Sequence, residues 1–487
     1  MGVGRMLDIY YGAFRVPDLI YVVIASLFSS TVVIPFLAAA WHRDGTDGNC
    51  SSQELLQSLA SALTLFVVVA AGIAFIAMPT LAPLVAPGFS SEDLASMVLL
   101  SRILLFSPLL LGLSSLFGAV TQSLGRTIVF AVGPILYNIG IIVGVLLFYP
   151  VIGITGLAWG VVLGAFLHAA VQIPAVFALG YTPRRARVNW HRVYGVLMSS
   201  LPRTLALSLT QLTFIVFVAI ASLFSSGAVA VFQLSFNIQS VPLGIIGASY
   251  ATAAFPAFSR LFAQGKRADA AGLVRKTLDH VLVWSMPVSA VFVVLREPIV
   301  RIILGNGNVG LEQTSGIALT MSLFAVSLVA QSTMLIFARA FFGAGDTRTP
   351  LAASALGALV SVMVGVFAYP LVPAAYGPAF LAASFSLGSI VAAVFARFFL
   401  GRCLPEIISR GMWRHGVIAA TVAAFVAYVA DILLSGAFDT DFFSSLVRVS
   451  VSGGSGILCA LGVLYAIGNE EVRTIANRLF RRQKNVL

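Results

Sequence analysis

The sequence predicts an all-α polytopic membrane protein with two six-helix lobes in parallel, pseudo-twofold repeat and two further C-terminal helices. Three observations lead there: its composition, a series of long apolar runs, and an internal repeat. Hydrophobic residues make up 59% of the 487 positions and charged residues only 10%, and the mean hydropathy is +1.00. A water-solvated chain of this length would divide into charged-surface domains, so the solvent implied here is lipid.

Thirteen apolar segments follow one another: Val16–Ala40, Leu55–Met78, Met97–Ser123, Ile128–Phe148, Ile154–Leu179, Val193–Phe224, Val229–Phe258, Thr277–Leu295, Thr314–Phe342, Pro350–Tyr369, Tyr376–Leu400, Gly416–Leu434 and Leu446–Ile467. Each is long enough to cross about 30 Å of hydrocarbon as a helix. A membrane barrel would show short alternating stretches instead. Prolines within the runs, among them Pro134, Pro202 and Pro242, are tolerated where neighbouring helices take up the freed backbone groups.

Orientation follows from the basic residues. Arg126, Arg184, Arg185, Arg187, Arg260, Lys266, Arg267, Arg348, Arg402, Arg410, Arg414 and the tail fall in one set of connections, whereas only Arg5, Arg15, Arg296 and Arg301 fall in the other. The richer set and the C-terminus are therefore expected in the cytoplasm. The N-terminus is then outside with no apolar leader before Arg15, an awkward arrangement for export. The simplest reconciliation is a further helix ahead of Met1 in the parent architecture, so that 13 of 14 helices are present.

The repeat has offsets of 220 to 222 residues: Phe14 and Arg15 recur as Phe236 and Asn237, Pro35 as Pro256, Gly125-Arg126-Thr127 as Thr347-Arg348-Thr349, and Tyr149-Pro150 as Tyr369-Pro370. Six crossings separate equivalent positions, an even number, which gives both copies the same orientation. The expected division is residues 1–180 for the N-terminal lobe, 193–401 for the C-terminal lobe, and 412–487 for two extra helices with a basic tail. No P-loop, metal-ligand cluster or catalytic carboxylate pair is present, and Gly305–Gly310 matches a dinucleotide pattern only literally, lacking a preceding strand. The three cysteines have no ligand-like spacing. No enzyme, cofactor, metal or nucleic-acid partner is expected; the net charge of +11 suits loops facing an anionic leaflet.

Phe14-Arg15-Val16-Pro17-Asp18-Leu19, Val241-Pro242-Leu243-Gly244 with Phe255-Pro256, and Ala338-Arg339-Ala340-Phe341 leading into Gly345-Asp346-Thr347-Arg348-Thr349-Pro350 resemble the MurJ (MviN) lipid II flippases of the multidrug/oligosaccharidyl-lipid/polysaccharide exporter superfamily. The resemblance covers essentially the whole chain. It implies a flippase of the bacterial inner membrane that moves undecaprenyl-pyrophosphate-linked peptidoglycan precursor outward by alternating access, in the service of cell-wall biogenesis and cell shape. Where that family reads Pro-Asn-Leu-Leu-Arg-Arg and Ala-Glu-Gly-Ala-Phe, this chain has Pro17-Asp18-Leu19-Ile20-Tyr21-Val22 and Ala25-Ser26-Leu27-Phe28-Ser29. Two readings therefore stand beside it: a flippase for another polyprenyl-linked saccharide, and a non-transporting scaffold. Expected partners are the lipid-linked saccharide, membrane lipids and cell-wall synthesis enzymes, with the chain as a monomer.

Candidate substrate contacts are Arg15, Arg203, Asp8, Asn237, Gln233 and Gln211. Arg203 follows Pro202, where an arginine in lipid either meets a phosphate or snorkels. Arg15 is placed at the outer edge of its helix, and Asp8 at the cavity mouth by the resemblance. Gln233, Asn237 and Ser240 share one helix face and, with Ser199, Ser200, Ser208 and Gln211, either line a wet cavity or bond helix to helix. Arg339, Asp346 and Arg348 are read as a structural turn, with Arg339 pairing to Asp346. His168 is expected to be packed and hydrogen-bonded, and Asp431 to snorkel at the outer interface. Single cysteines at Arg185 and Lys266 should resist an impermeant maleimide in intact cells while one at Asn308 reacts; labelling of the first two would invert this topology.

Overall fold

The computed structural model describes residues 2–28, 33, 34, 36, 51–123, 125–178, 189–304, 310–404, 412–436, 441–474 and 477. Pro35, Arg184, Arg185, Arg187, Asn308, Arg410 and the side chain of Ser199 lie outside the described residues. Thirteen helices among them are long and apolar enough to cross a membrane. In chain order they are α1 (Arg5–Leu27), α2 (Gln53–Val85), α3 (Ser91–Gln122), α4 (Ile128–Ile152), α5 (Ile154–Ala178) and α6 (Trp190–Ser222). There follow α7 (Ala228–Ala263), α8 (Arg267–Val294), α9 (Glu312–Gly343), α10 (Arg348–Leu371), α11 (Ala374–Cys403), α12 (Trp413–Ser435) and α13 (Phe442–Ile467). Large apolar side chains such as Ile76 and Val151 stand 79% and 81% exposed, a surface suited to lipid and not to water.

The first crossing differs from the expectation. It begins at Arg5 and not at Val16, and Asp8 and Arg15, expected at the cavity mouth and at the outer edge of the helix, are both buried. Two helical pieces, Arg5–Ala13 and Arg15–Leu27, meet at Phe14. The cause of the joint is Pro17, which has no N–H to offer the Ala13 carbonyl one turn back. Ser101 on α3 donates its hydroxyl to that carbonyl at 3.0 Å, so the freed acceptor is satisfied from a neighbouring helix.

The chain divides into two compact units, Arg5–Leu223 and Phe224–Leu487, the latter together with the first four residues. The packing boundary therefore lies after α6, whereas the sequence division placed this helix with the C-terminal lobe. The physical reason is a bonded seam: Ser26 on α1 donates to the Thr204 hydroxyl at 2.9 Å and Ser200 donates to the Leu27 carbonyl at 2.8 Å. Val193 and Val196 of α6 also join the core of α1, α2 and α3 residues.

Within the N-terminal unit α1 and α2 pack on α3, α3 on α5, and α4 on α5. Within the C-terminal unit α7 and α8 pack on α9, α9 on α11, and α10 on α11 in the same sequence of pairings. Small residues set the tightest of these contacts. A Cβ at Gly140 or Gly144 of α4 would overlap the backbone of Gly164 or Gly160 on α5, and one at Gly388 of α11 would overlap Gly357 of α10. Such close approach is how helices associate where no water is available to drive them together. His168 is packed as expected: its Nδ1 lies 2.6 Å from the Ser114 hydroxyl, which also bonds Gln172.

The two last crossings dock on the C-terminal unit through α8. Asp431 does not snorkel: Arg448 of α13 donates Nε and Nη2 to its two carboxylate oxygens, each at 2.9 Å. This bidentate pair is mostly shielded, with side-chain exposures of 13% and 18%. Removing one partner leaves a charge in a poor solvent. Arg448→Met should therefore lower stability by about 3 kcal/mol in detergent unfolding, while Asp431→Leu with Arg448→Met should recover most of it; equal losses in the single and double variants would contradict the pairing.

Candidate functional site

In the N-terminal unit the candidate residues gather on the facing surfaces of α1 and α6. Arg15 is only 4% exposed, at the middle of its crossing instead of the outer edge expected for it. Its Nε donates to the Tyr11 carbonyl at 3.3 Å, and its guanidinium lies 5.9 Å from the centroid of the Phe214 ring on α6, within the range of a cation–π contact. Asp8, 1% exposed, is buried in the first turn of α1.

The seam bonds fix the register: Thr204 is level with Ser26, Ser200 with Leu27, and Phe214 with Arg15. The two helices run antiparallel. Arg203 and Phe214 are eleven residues apart, close to three full turns, so they share one face of α6. Arg203 and the Arg15 guanidinium thus stand on the same side of this helix, separated by about 16 Å of helical rise. Of the hydroxyls expected to line a wet cavity, Ser200 bonds α1, as the neighbouring Thr204 also does, and Ser208 bonds the Thr204 carbonyl at 2.8 Å; half-buried Gln211 continues that stripe.

Elsewhere on the α1–α6 pair lies an apolar groove of about 480 Å³. Its lining includes Ile20, Ile24, Phe66, Leu197 and Leu201. Sequence reasoning missed this groove, because every residue in it also reads as ordinary core.

The C-terminal unit holds the other candidates. Gln233 donates Nε2 to the Asn237 side-chain oxygen at 2.8 Å and Ser240 donates to the Asn237 carbonyl at 2.7 Å, all along α7. Gln239, two residues past Asn237 and so on nearly the opposite side of α7, is fully buried, and neither atom of its amide has a hydrogen-bond partner among the described residues. Desolvating an amide without a partner is costly, which leaves Gln239, beside the stripe and not on its face, with unspent bonding capacity. Just beyond it, Pro242 is followed by a widened helical turn, Leu243–Ala248. Gly247 in that turn packs so closely on α9 that a Cβ would come within 2.9 Å of the Ser332 hydroxyl. Wide turns of this kind bend a helix and recur at functional positions.

The structural turn is differently bonded from the expectation. Asp346 does not pair with Arg339: it accepts the backbone N–H groups of Arg348 and Thr349 at 2.9 and 3.0 Å and the Thr349 hydroxyl at 2.6 Å. It caps the start of α10. Arg339 instead lies 5.2 Å from the centroid of Phe255, tying α9 to α7. Partial burial works to raise the Asp346 carboxyl, yet the bonds from Thr349 and Arg348 and the Arg348 charge hold it below its ordinary range.

The sequence pattern defining the family described as lipid II flippase MurJ matches residues 1–451. The chain belongs to the MurJ family. Its relatives include a probable lipid II flippase MurJ of Rhizobium meliloti (strain 1021), 25% identical over 454 residues, with 88% of this chain and 81% of that protein covered. The lipid II flippase MurJ of Burkholderia cenocepacia is also 25% identical, over 379 residues, covering 76% of this chain and 72% of that protein. Among solved structures, a lipid II flippase MurJ in an inward closed conformation superposes with a TM-score of 0.78 at 17% identity, covering 95% of this chain and 93% of that one. An inward-facing multidrug resistance MATE family transporter of the MOP superfamily gives 0.69 at 14% identity, over 83% and 92%. This MurJ family member therefore has the flippase and MATE-like transporter fold and is a multi-pass protein of the bacterial inner membrane.

The Asp346 cap makes a definite prediction. A depressed carboxyl stabilises the fold above its unfolded value and loses that contribution as pH falls through the folded one. Asp346→Ala should cost about 1 kcal/mol at neutral pH, and the gap from the parent should close below about pH 4. A gap that is unchanged in acid would contradict the cap.

Proposed function

We propose that this protein translocates lipid II, an undecaprenyl-pyrophosphate-linked saccharide–peptide, from the cytoplasmic to the outer leaflet by alternating access of the two units. Membership of the lipid II flippase MurJ family supports the substrate class. The observation that carries the mechanism is the pair of arginines, Arg203 and Arg15, on one side of α6 and about 16 Å apart in depth. A pyrophosphate entering a poor solvent needs compensating cations, and two stations let it pass through the membrane without being stranded between them. The apolar groove of about 480 Å³ on the same helix pair suits an isoprenoid chain.

Energy enters through the substrate. The sequence has no P-loop, and an outside-positive potential favours outward movement of an anion by about 2.3 kcal/mol per charge per 100 mV. In this reading the basic C-terminal tail is cytoplasmic, the chain works as a monomer, and cell-wall synthesis enzymes take the product.

Arg203→Ala should abolish complementation of a flippase-deficient strain while the protein remains inserted and folded. Arg203→Lys should keep partial activity, since it keeps the charge and loses only the planar fork. Full complementation by Arg203→Ala would overturn the two-station mechanism, and insertion without activity in the parent chain would favour the scaffold.

A further inference from the structure

The C-terminal unit contains a cavity that the proposed substrate track does not use. It encloses about 590 Å³ and lies where crossings end or begin: Phe262 and Ala263 close α7, Arg267 opens α8, Gly343–Asp346 form the turn between α9 and α10, and Arg402–Leu404 end α11. That places it at the level of the lipid headgroups. By the distribution of basic residues it faces the leaflet expected to be cytoplasmic.

The floor is apolar and firm. Phe341, Leu400 and Leu404 are buried members of the core that joins α7, α8, α9 and α11. Two exposed guanidinium groups, Arg267 and Arg402, line the cavity. Asp346 also lines it, but its oxygens are already committed to Arg348 and Thr349. Lys266 and Arg348 flank the cavity in sequence and add to its positive field.

A stripe on α11 leads up to this rim. Leu387, Ile390, Val394 and Phe398 are 45%, 38%, 62% and 56% exposed, and their spacing puts them on one helix face. Arg402 follows Phe398 by one turn, its guanidinium 4.3 Å from that ring's centroid and 5.7 Å from that of Phe399. A freely snorkelling arginine extends away from its helix. This one is stacked and held at the head of an apolar strip.

We propose that the cavity binds an anionic glycerophospholipid, with the phosphate on Arg267 and Arg402 and an acyl chain along the Leu387–Phe398 stripe of α11. Arginine forks match phosphate oxygens, and a zwitterionic lipid offers less net charge to the same field. The site is separate from the α1–α6 track, so it stands or falls independently of the transport reading.

The test uses the full chain in neutral detergent, with phosphatidylglycerol, phosphatidylcholine or inorganic phosphate added and binding followed by native mass spectrometry and by thermal unfolding. Phosphatidylglycerol should be retained and should raise the unfolding midpoint; phosphatidylcholine and phosphate should do neither. Arg402→Gln should weaken phosphatidylglycerol about fivefold, and Arg267→Gln with Arg402→Gln about 25-fold. Arg402→Lys should fall between the parent and Arg402→Gln, and Arg414→Gln, which does not line the cavity, should bind like the parent. If the double variant does not fold, Phe398→Ala, an exposed position, should still weaken the lipid. Unchanged binding in the double variant or in Phe398→Ala, equal binding of phosphatidylcholine, or the same stabilisation by phosphate alone would overturn the site.

Discussion

A guanidinium in the middle of a membrane-crossing helix is the constraint around which the N-terminal unit is built. Arg15 is almost wholly buried, and in hydrocarbon such a group is expensive unless its surroundings answer it. The answer comes from α1 itself, where the Asp18 carboxylate one turn on supplies the opposite charge, and from α6. The Tyr11 carbonyl accepts from it within α1, and the Phe214 ring of α6 covers it at cation–π distance. Without α6 this face of α1 would meet lipid. The hydroxyl seam of Ser26, Thr204 and Ser200 locks the register that puts Phe214 opposite Arg15, and that same register sets the depth of Arg203.

The remainder of the fold follows from lipid as solvent. Each unit must satisfy its own backbone and bring helices together without a hydrophobic force between them. Glycine contacts do this for α4 with α5 and for α10 with α11. Where a proline interrupts the ladder, a neighbour repairs it, as Ser101 does for the Ala13 carbonyl ahead of Pro17. The wide turn after Pro242, with Gly247 packed on Ser332, gives α7 a bend at a fixed place.

The thirteen crossings were legible because a helix in lipid is apolar on nearly every face, so its signal does not depend on periodicity. The start of α1 was not, since Asp8 and Arg15 interrupt the apolar run and burial of a charge leaves no mark in composition. Nor was the unit to which α6 belongs: sequence order places it after a long basic connection, while its Ser200 and Thr204 contacts are non-local. The carboxylates taught the same lesson from the other direction. Asp431 was read without its partner because Arg448 lies in the next crossing, whereas Asp346 prefers the donors of its own turn over Arg339. The grouping of the candidates, Arg15 of α1 against Phe214 of α6 and the orphaned amide of Gln239 on α7, required the packing.

The two-station account is tested most directly by reconstituting the purified chain with lipid II in vesicles and following its appearance in the outer leaflet under an imposed potassium diffusion potential. The account predicts that a potential positive on the receiving side speeds transfer, that reversing its sign slows it, and that sodium at fixed potential has no effect. Transfer indifferent to the potential, or dependent on sodium at fixed potential, would contradict it.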